Sequence, residues 1–174
     1  DMAMVEIARA LKEINKDGVR IELDIYAPDK PSDDVVKALD VPGCRLCDGV
    51  PKSEVAKIQA QADVLVFAES LSEKYKNAAR LSFSTKITDY FSSGRCIFAL
   101  GSKDIAPVDY LMEEDAAIVA TDYKDIEPAL RRLCDNPSLV EEYGKKAFEC
   151  GKRNHSREDV YNLFKKTLSD TANK

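Results

Sequence analysis

The 174-residue sequence predicts an α/β domain, an open parallel sheet with helices on both faces and a helical C-terminal tail. Three observations carry this expectation. Short apolar runs of strand length alternate one for one with segments whose apolar residues recur at i, i+3 and i+4. The runs are nearly continuous in apolar residues, as in Val64 to Ala68 and Cys96 to Leu100, the pattern of strands covered on both faces. Beyond Ala120 only helical periodicity remains.

The chain opens with a helix from Met2 to Lys16, apolar at Val5, Ile7, Ala8, Leu11 and Ile14 and stopped by Gly18. Val19 to Tyr26 reads as a strand alternating its faces through Val19, Ile21, Leu23 and Ile25. Pro28 to Asp33 is a loop, and Ser32 or Asp33 suits the cap of a short helix through Val35, Val36 and Leu39. Gly43 to Cys47 is a short strand, Pro51 and Lys52 open a helix, and Asp63 to Glu69 is a buried strand. Ser70 to Phe83 is polar with no apolar period and reads as a long loop, a feature of functional or mobile segments. Ile105 to Asp115 is a helix and Ala116 to Ala120 the last strand. Asp122 to Asn136, Pro137 to Asn154 and Ser156 to Asp170 follow as amphipathic helices, the last with Ser156 and Asp159 spaced like a capping box.

Composition narrows the function classes. Charged residues make up 33% of the chain and the net charge is −5, so the surface is solvated and mildly acidic. No basic stripe with interleaved aromatics exists, which argues against nucleic acid as a partner. Five cysteines without a secretory signal point to free thiols in a reducing, cytoplasmic setting. No apolar run approaches the roughly 20 residues needed to cross a bilayer.

The stretch from Leu81 to Gly101 concentrates the chemistry. Ser84 or Thr85 is an N-cap candidate, Ile87, Tyr90 and Phe91 recur at helical spacing, and Gly94 stands where the helix ends. A helix start behind small hydroxyl residues presents free N–H groups and a partial positive charge, which suit a phosphate. Lys86 adds a full charge in the first turn, where a cation is mildly disfavoured unless an anion is present. A solvated surface lysine is the plain alternative. Asp89 lies one turn beyond Thr85, so both can address one ligand, the carboxylate accepting from a pair of sugar hydroxyls. Its alternative is an intrahelical pair with Lys86.

Other candidates read as structure. Cys44 and Cys47 form a C-x-x-C without the further ligands a tetrahedral metal site needs, and fit two small apolar residues on a strand. His155, the one histidine, lies near no nucleophile motif and suits a helix boundary. Asp33 with Asp34, and Glu113 with Glu114 and Asp115, resemble a cap and a solvated helix end. Cys96, Cys134 and Cys150 are expected in the core or on helices.

The order Asp63-Val-Leu-Val-Phe, a variable loop, then Ser84-Thr-Lys-Ile-Thr-Asp-Tyr-Phe-Ser-Ser-Gly-Arg-Cys-Ile-Phe-Ala-Leu-Gly resembles the C-terminal, nucleotide-sugar-binding, Rossmann-like domain of GT-B-fold glycosyltransferases. It is most similar to the large retaining group with two glutamates eight residues apart followed by A-x-G-K-P-V. Asp89 stands at the second acidic position, Gly94 at the glycine, Arg95 at the lysine and Cys96 at the proline. Gly49 to Val55 resembles the loop and helix before the aspartate-led strand, and Asn136 to Ala147 the helical tail. The resemblance implies that Asp89 holds the donor ribose, that the amides of Ser84, Thr85 and Lys86 hold the diphosphate, and that Val50 and Pro51 contact the base. It implies chemistry without a metal or other cofactor. Leu81 occupies the first acidic position, so the usual carboxylate contact to the transferred sugar is missing or supplied elsewhere. Thr85-Lys-Ile-Thr-Asp-Tyr is similar to a subgroup that also lacks it.

These expectations describe residues 1–174 as a single donor-binding domain. The acceptor domain, which binds a polysaccharide or lipid-linked glycan, and the first strand with its glycine-rich loop lie outside the sequence. The fragment is expected to bind a nucleoside-diphosphate sugar, such as a UDP-sugar, without turning it over. Peripheral membrane association would come through the other domain. Two other readings remain. A flavodoxin-like receiver or regulatory domain needs a phosphoacceptor aspartate at a strand end, whereas Asp24 lies inside its strand. A sugar-nucleotide epimerase or related enzyme needs a histidine or paired carboxylates at the strand ends.

Overall fold

The computed structural model describes residues 2–172. Helix α1 (Met2–Ile14) buries Ala3, Ile7, Leu11 and Ile14 along one stripe. Strands β1 (Leu23–Ala27) and β2 (Cys44–Asp48) run parallel, with α2 (Asp33–Leu39) between them in the chain. Then come α3 (Lys52–Gln61), β3 (Val64–Ala68), α4 (Glu73–Ala79), α5 (Thr85–Ser93), β4 (Cys96–Leu100), α6 (Ala106–Glu113) and β5 (Ile118–Ala120). A 3₁₀ turn at Tyr123–Asp125 leads into α7 (Ile126–Asp135), α8 (Pro137–Asn154) and α9 (Arg157–Ala172).

Every strand pairing is parallel, and helices cover both faces, as the sequence predicts. All five residues of β4 are buried and point alternately to two cores. Cys96, Phe98 and Leu100 join α1 and α7, while Ile97 and Ala99 join α5, α6 and α8. The strands form two hydrogen-bonded groups, β1-β2 and β3-β4-β5, and the α1 core spans both. Strand geometry fixes which backbone groups face the break. Glu69 N–H donates to Leu100 O, so Leu65 and Phe67 also point to β4, and Val64, Val66 and Ala68 turn their N–H and C=O groups to the open edge. By the same alternation Leu23 N–H donates to Gly43 O, which leaves Asp24 and Tyr26 of β1 facing outward.

Several boundaries differ from the sequence reading. The loop expected from Ser70 to Phe83 contains α4, and the first strand begins at Leu23, because Val19 to Glu22 pair with no neighbouring strand. Instead the turn is stapled by Asn15, only 3% exposed. Its side-chain amide donates to Ile21 O (2.8 Å) and Pro42 O (2.7 Å), and its carbonyl accepts from Arg20 N–H (2.9 Å) and Ile21 N–H (3.1 Å). Glu114 and Asp115, read as solvated, are ion-paired with Arg153 and Lys146.

Helix α8 lies close against α5 because of two glycines. A Cβ on Gly144 would stand 2.7 Å from Gly94 O, and one on Gly151 2.5 Å from Phe91 Cβ. Residues 157–171 of helix α9 are all exposed, including Tyr161, Leu163 and Phe164. Among the described residues no helix is long and apolar enough to cross a membrane.

Candidate functional site

Parallel strands place the loops after β2, β3 and β4 on one edge, where ligands of open α/β sheets bind. The start of α5 lies on that edge too, because α5 leads into the beginning of β4 at the other end. Of the two cap candidates the structure selects Ser84, whose Oγ accepts from Lys86 N–H at 3.4 Å and whose carbonyl accepts from Ile87 N–H at 3.2 Å. Gly94 closes the helix in the left-handed region, φ 66°. Ile87 and Phe91 are buried at 0% and 1% exposure, so α5 is held by its inner face.

Thr85 and Lys86 are exposed in the first turn. The intrahelical pair offered as the plain reading of Asp89 does not form: among the described residues neither Lys86 nor Asp89 has an ion-pair partner. With the Lys86 and Ile87 N–H groups bonded to Ser84, the helix start presents the positive end of the helix dipole and an ammonium with no ion-pair partner among the described residues. Tyr90 O–H donates to Val66 O at 3.1 Å, covering one carbonyl of the open β3 edge. Burial, followed by the Asp89 carboxylate, raises the Tyr90 pKa.

Asp89 also lines a groove of about 540 Å³ between α5 and the α8–α9 junction, with Phe91, Phe148, Lys152, His155 and Asp159. Val50 and Pro51 follow β2 on the same edge, Pro51 capping α3, which packs beside α5. The six predicted residues fall in three places: Val50 and Pro51 at the α3 start, Ser84, Thr85 and Lys86 at the α5 start, and Asp89 one turn into α5 on the groove toward the α8–α9 junction.

Sequence reasoning missed two neighbouring features. Helix α4 brings Lys76, Asn77 and Arg80 to a pocket of about 300 Å³ with Glu73 and Asp104. Lys76 Nζ stands 2.5 Å from Asp104 Oδ2, and this hydrogen bond lowers the Asp104 pKa. Arg80, four residues ahead of Ser84, has no ion-pair partner among the described residues. A Ser72-Glu73 start was the available signal for α4.

The second missed feature is an aromatic cluster. Phe83 meets Tyr110 edge-on (centroids 5.4 Å, 78°) and lies nearly parallel to His155 (6.0 Å, 24°). His155, at the helix boundary as expected, places Nε2 2.9 Å from the Tyr110 hydroxyl, which also accepts from Asn154 Nδ2 at 3.0 Å. Burial pushes the Tyr110 pKa up to about 12, helped by the Cys150 contact. Cys44 and Cys47 are half-buried free thiols on β2, Cys96 and Cys150 are buried, and Cys134 is half-buried on α7. Asp24, inside β1, is held by Arg45 (Nε to Oδ1 2.6 Å) rather than standing at a strand end as a phosphoacceptor would.

No protein-family model matches the chain, and no curated protein matches it. Among solved structures it is similar to that of WaaG, a glycosyltransferase involved in lipopolysaccharide biosynthesis, with a TM-score of 0.64 at 13% sequence identity. The match covers 87% of this chain and 38% of that one. The chain therefore shares the fold of part of a glycosyltransferase, and spans well under half of that protein's length.

Proposed function

We propose that this chain is the donor-binding domain of a retaining glycosyltransferase of hexosyltransferase type. The observation that carries the reading is the α5 start: a serine-capped helix N-terminus on the carboxyl edge of a parallel sheet, with Lys86 lacking any protein anion among the described residues. A diphosphate supplies that anion. In this reading the amides of Ser84, Thr85 and Lys86 hold it, Asp89 accepts from the ribose hydroxyls, and Val50 and Pro51 border the base. The helix dipole and the Lys86 ammonium stabilise the departing diphosphate as the bond from the sugar's anomeric carbon to its phosphate oxygen breaks and the bond to an acceptor hydroxyl forms, the hydroxyl proton passing to the departing phosphate. The fold shared with WaaG supports the assignment.

The open edges of β1 and β3 support a further part of the proposal. A parallel strand between them would join β1 through α1 by a right-handed crossover and give the order β2-β1-x-β3-β4-β5, with its following loop on the binding edge. The acceptor, a polysaccharide or lipid-linked glycan, belongs to a second domain, and any contact with a membrane surface to that domain as well.

A thermal-shift panel of UDP, GDP, ADP, CMP and their sugar conjugates tests the reading on the native chain, Lys86→Ala and Asp89→Ala. Ligand at about 100 times its Kd adds roughly 2.7 kcal/mol, a rise of roughly 5–10 °C at this size. One diphosphate raising the Tm of the native chain, and less that of both variants, is expected. A flat response across the panel sinks the reading.

A further inference from the structure

We propose that Phe83 is the positioning residue for the anion-binding start of α5, and that Tyr110 and His155 form the socket that holds it. The proposal rests on the donor-site reading for its purpose, though not for its geometry. The segment entering α5 has few other supports. Ahead of it Arg80 O accepts from Ala106 N–H at 2.9 Å, and behind it Ser84 bonds Lys86 and Ile87. Between these ends Leu81 is 88% exposed and Ser82 is exposed, while the Phe83 ring, itself 38% exposed, meets Tyr110 and His155 and so supplies the anchor.

The socket is built from two other elements, and its parts are fixed independently. Tyr110 comes from α6 and His155 from the end of α8, and their side chains are linked at 2.9 Å. The His155 ring packs on Phe91, 1% exposed, at 5.3 Å, and Asn154 bonds the Tyr110 hydroxyl. Aromatic pairs hold one another by ring electrostatics as well as burial, so two rings at 78° and 24° to Phe83 restrict its direction. Because Ser84 is the next residue, a displaced Phe83 displaces the cap and with it the Lys86 and Ile87 amides. The aromatic cluster is in this way a second support of the phosphate site, far from it in sequence.

The test compares the native chain with Phe83→Ala and Phe83→Tyr by amide hydrogen exchange without ligand and by titration with UDP, GDP and ADP. Phe83→Ala should speed exchange at Lys86 and Ile87 by about tenfold, the order set by losing two aromatic contacts. The buried amides of β4 should stay unchanged, and Phe83→Tyr should restore native rates. For whichever diphosphate binds, Phe83→Ala should weaken affinity by about tenfold. Unchanged exchange at Lys86 and Ile87, or equal acceleration in β4, overturns the positioning role. Local acceleration with no diphosphate bound by the native chain leaves Phe83 as the anchor and removes the donor-site reading instead.

Discussion

Replacing Asn15 tests how the turn after α1 is held. Its amide group makes four hydrogen bonds to backbone groups of Arg20, Ile21 and Pro42, at 2.7 to 3.1 Å, while 3% exposed. An alanine leaves these backbone groups without their partner. Each made bond is worth about 1 kcal/mol net, and each buried group left unpaired costs about 1–3 kcal/mol, reduced where water enters the vacated space. A loss of about 3 kcal/mol follows, within the range for breaking a buried polar network, and a fall in Tm of roughly 6–12 °C at this chain size.

Asn15→Asp adds a pH signature. The carboxylate would face Ile21 O and Pro42 O, two acceptors, in a buried site. Burial raises its folded-state pKa above the unfolded value, so the variant is most destabilised above the folded pKa and recovers as pH falls through it. Thermal unfolding of both variants beside the native chain, at about pH 7.5 and about pH 5, is the assay. An alanine variant within about 2 °C of native, or an aspartate variant whose deficit grows on acidification, would refute the reasoning.

Three further outcomes are expected. Gly144→Ala gains up to about 1 kcal/mol of helix propensity but forces Cβ to 2.7 Å from Gly94 O and 3.5 Å from Cys96 N, both backbone. Overpacking at about 1–3 kcal/mol wins, so the urea midpoint falls, and an unchanged midpoint contradicts the close α8 packing. In β3 the amides of Val66 and Ala68, turned to the open edge, should exchange faster than those of Phe67 and Glu69, turned to β4; equal protection contradicts the break between β1 and β3. The Lys76 hydrogen bond holds the Asp104 pKa below 3.8. Its contribution is therefore complete above that value and lost as pH falls through the lowered folded pKa. Exchange in α4 should accelerate across that acidic window in the native chain and lose this dependence in Lys76→Met. Persistence of the same dependence in the variant would assign it to another group.

Helix α5 was legible because its signals are local: a hydroxyl cap, apolar residues at i, i+3 and i+4, and a glycine that reaches φ 66°. Strands β3, β4 and β5 were legible as unbroken apolar runs and β1 by its alternation. Their partners were not, since the break between β1 and β3 depends on which strand stands beside which, and periodicity carries no such information. Helix α4 escaped because no buried stripe marks it among its described side chains: Tyr75 is 58% exposed, and Lys76 pairs with both Glu73 and Asp104. Nothing local marks Asn15, because its partners at Ile21 and Pro42 come together only on folding. The socket for Phe83 comes from Tyr110 and His155, 27 and 72 residues further along the chain. The free charges on Lys86 and Asp89 were foreseen as residues, but only the structure shows their mutual pair unformed.

The most direct test of the donor-site reading is an amide chemical-shift titration of the isotope-labelled chain with UDP, GDP and ADP in turn. One diphosphate should give saturable shifts that are largest at Thr85, Lys86 and Ile87, extend to Asp89, and weaken in Lys86→Ala. Saturable shifts confined to other elements, or none with any of the three, would contradict the placement of a diphosphate at the start of α5.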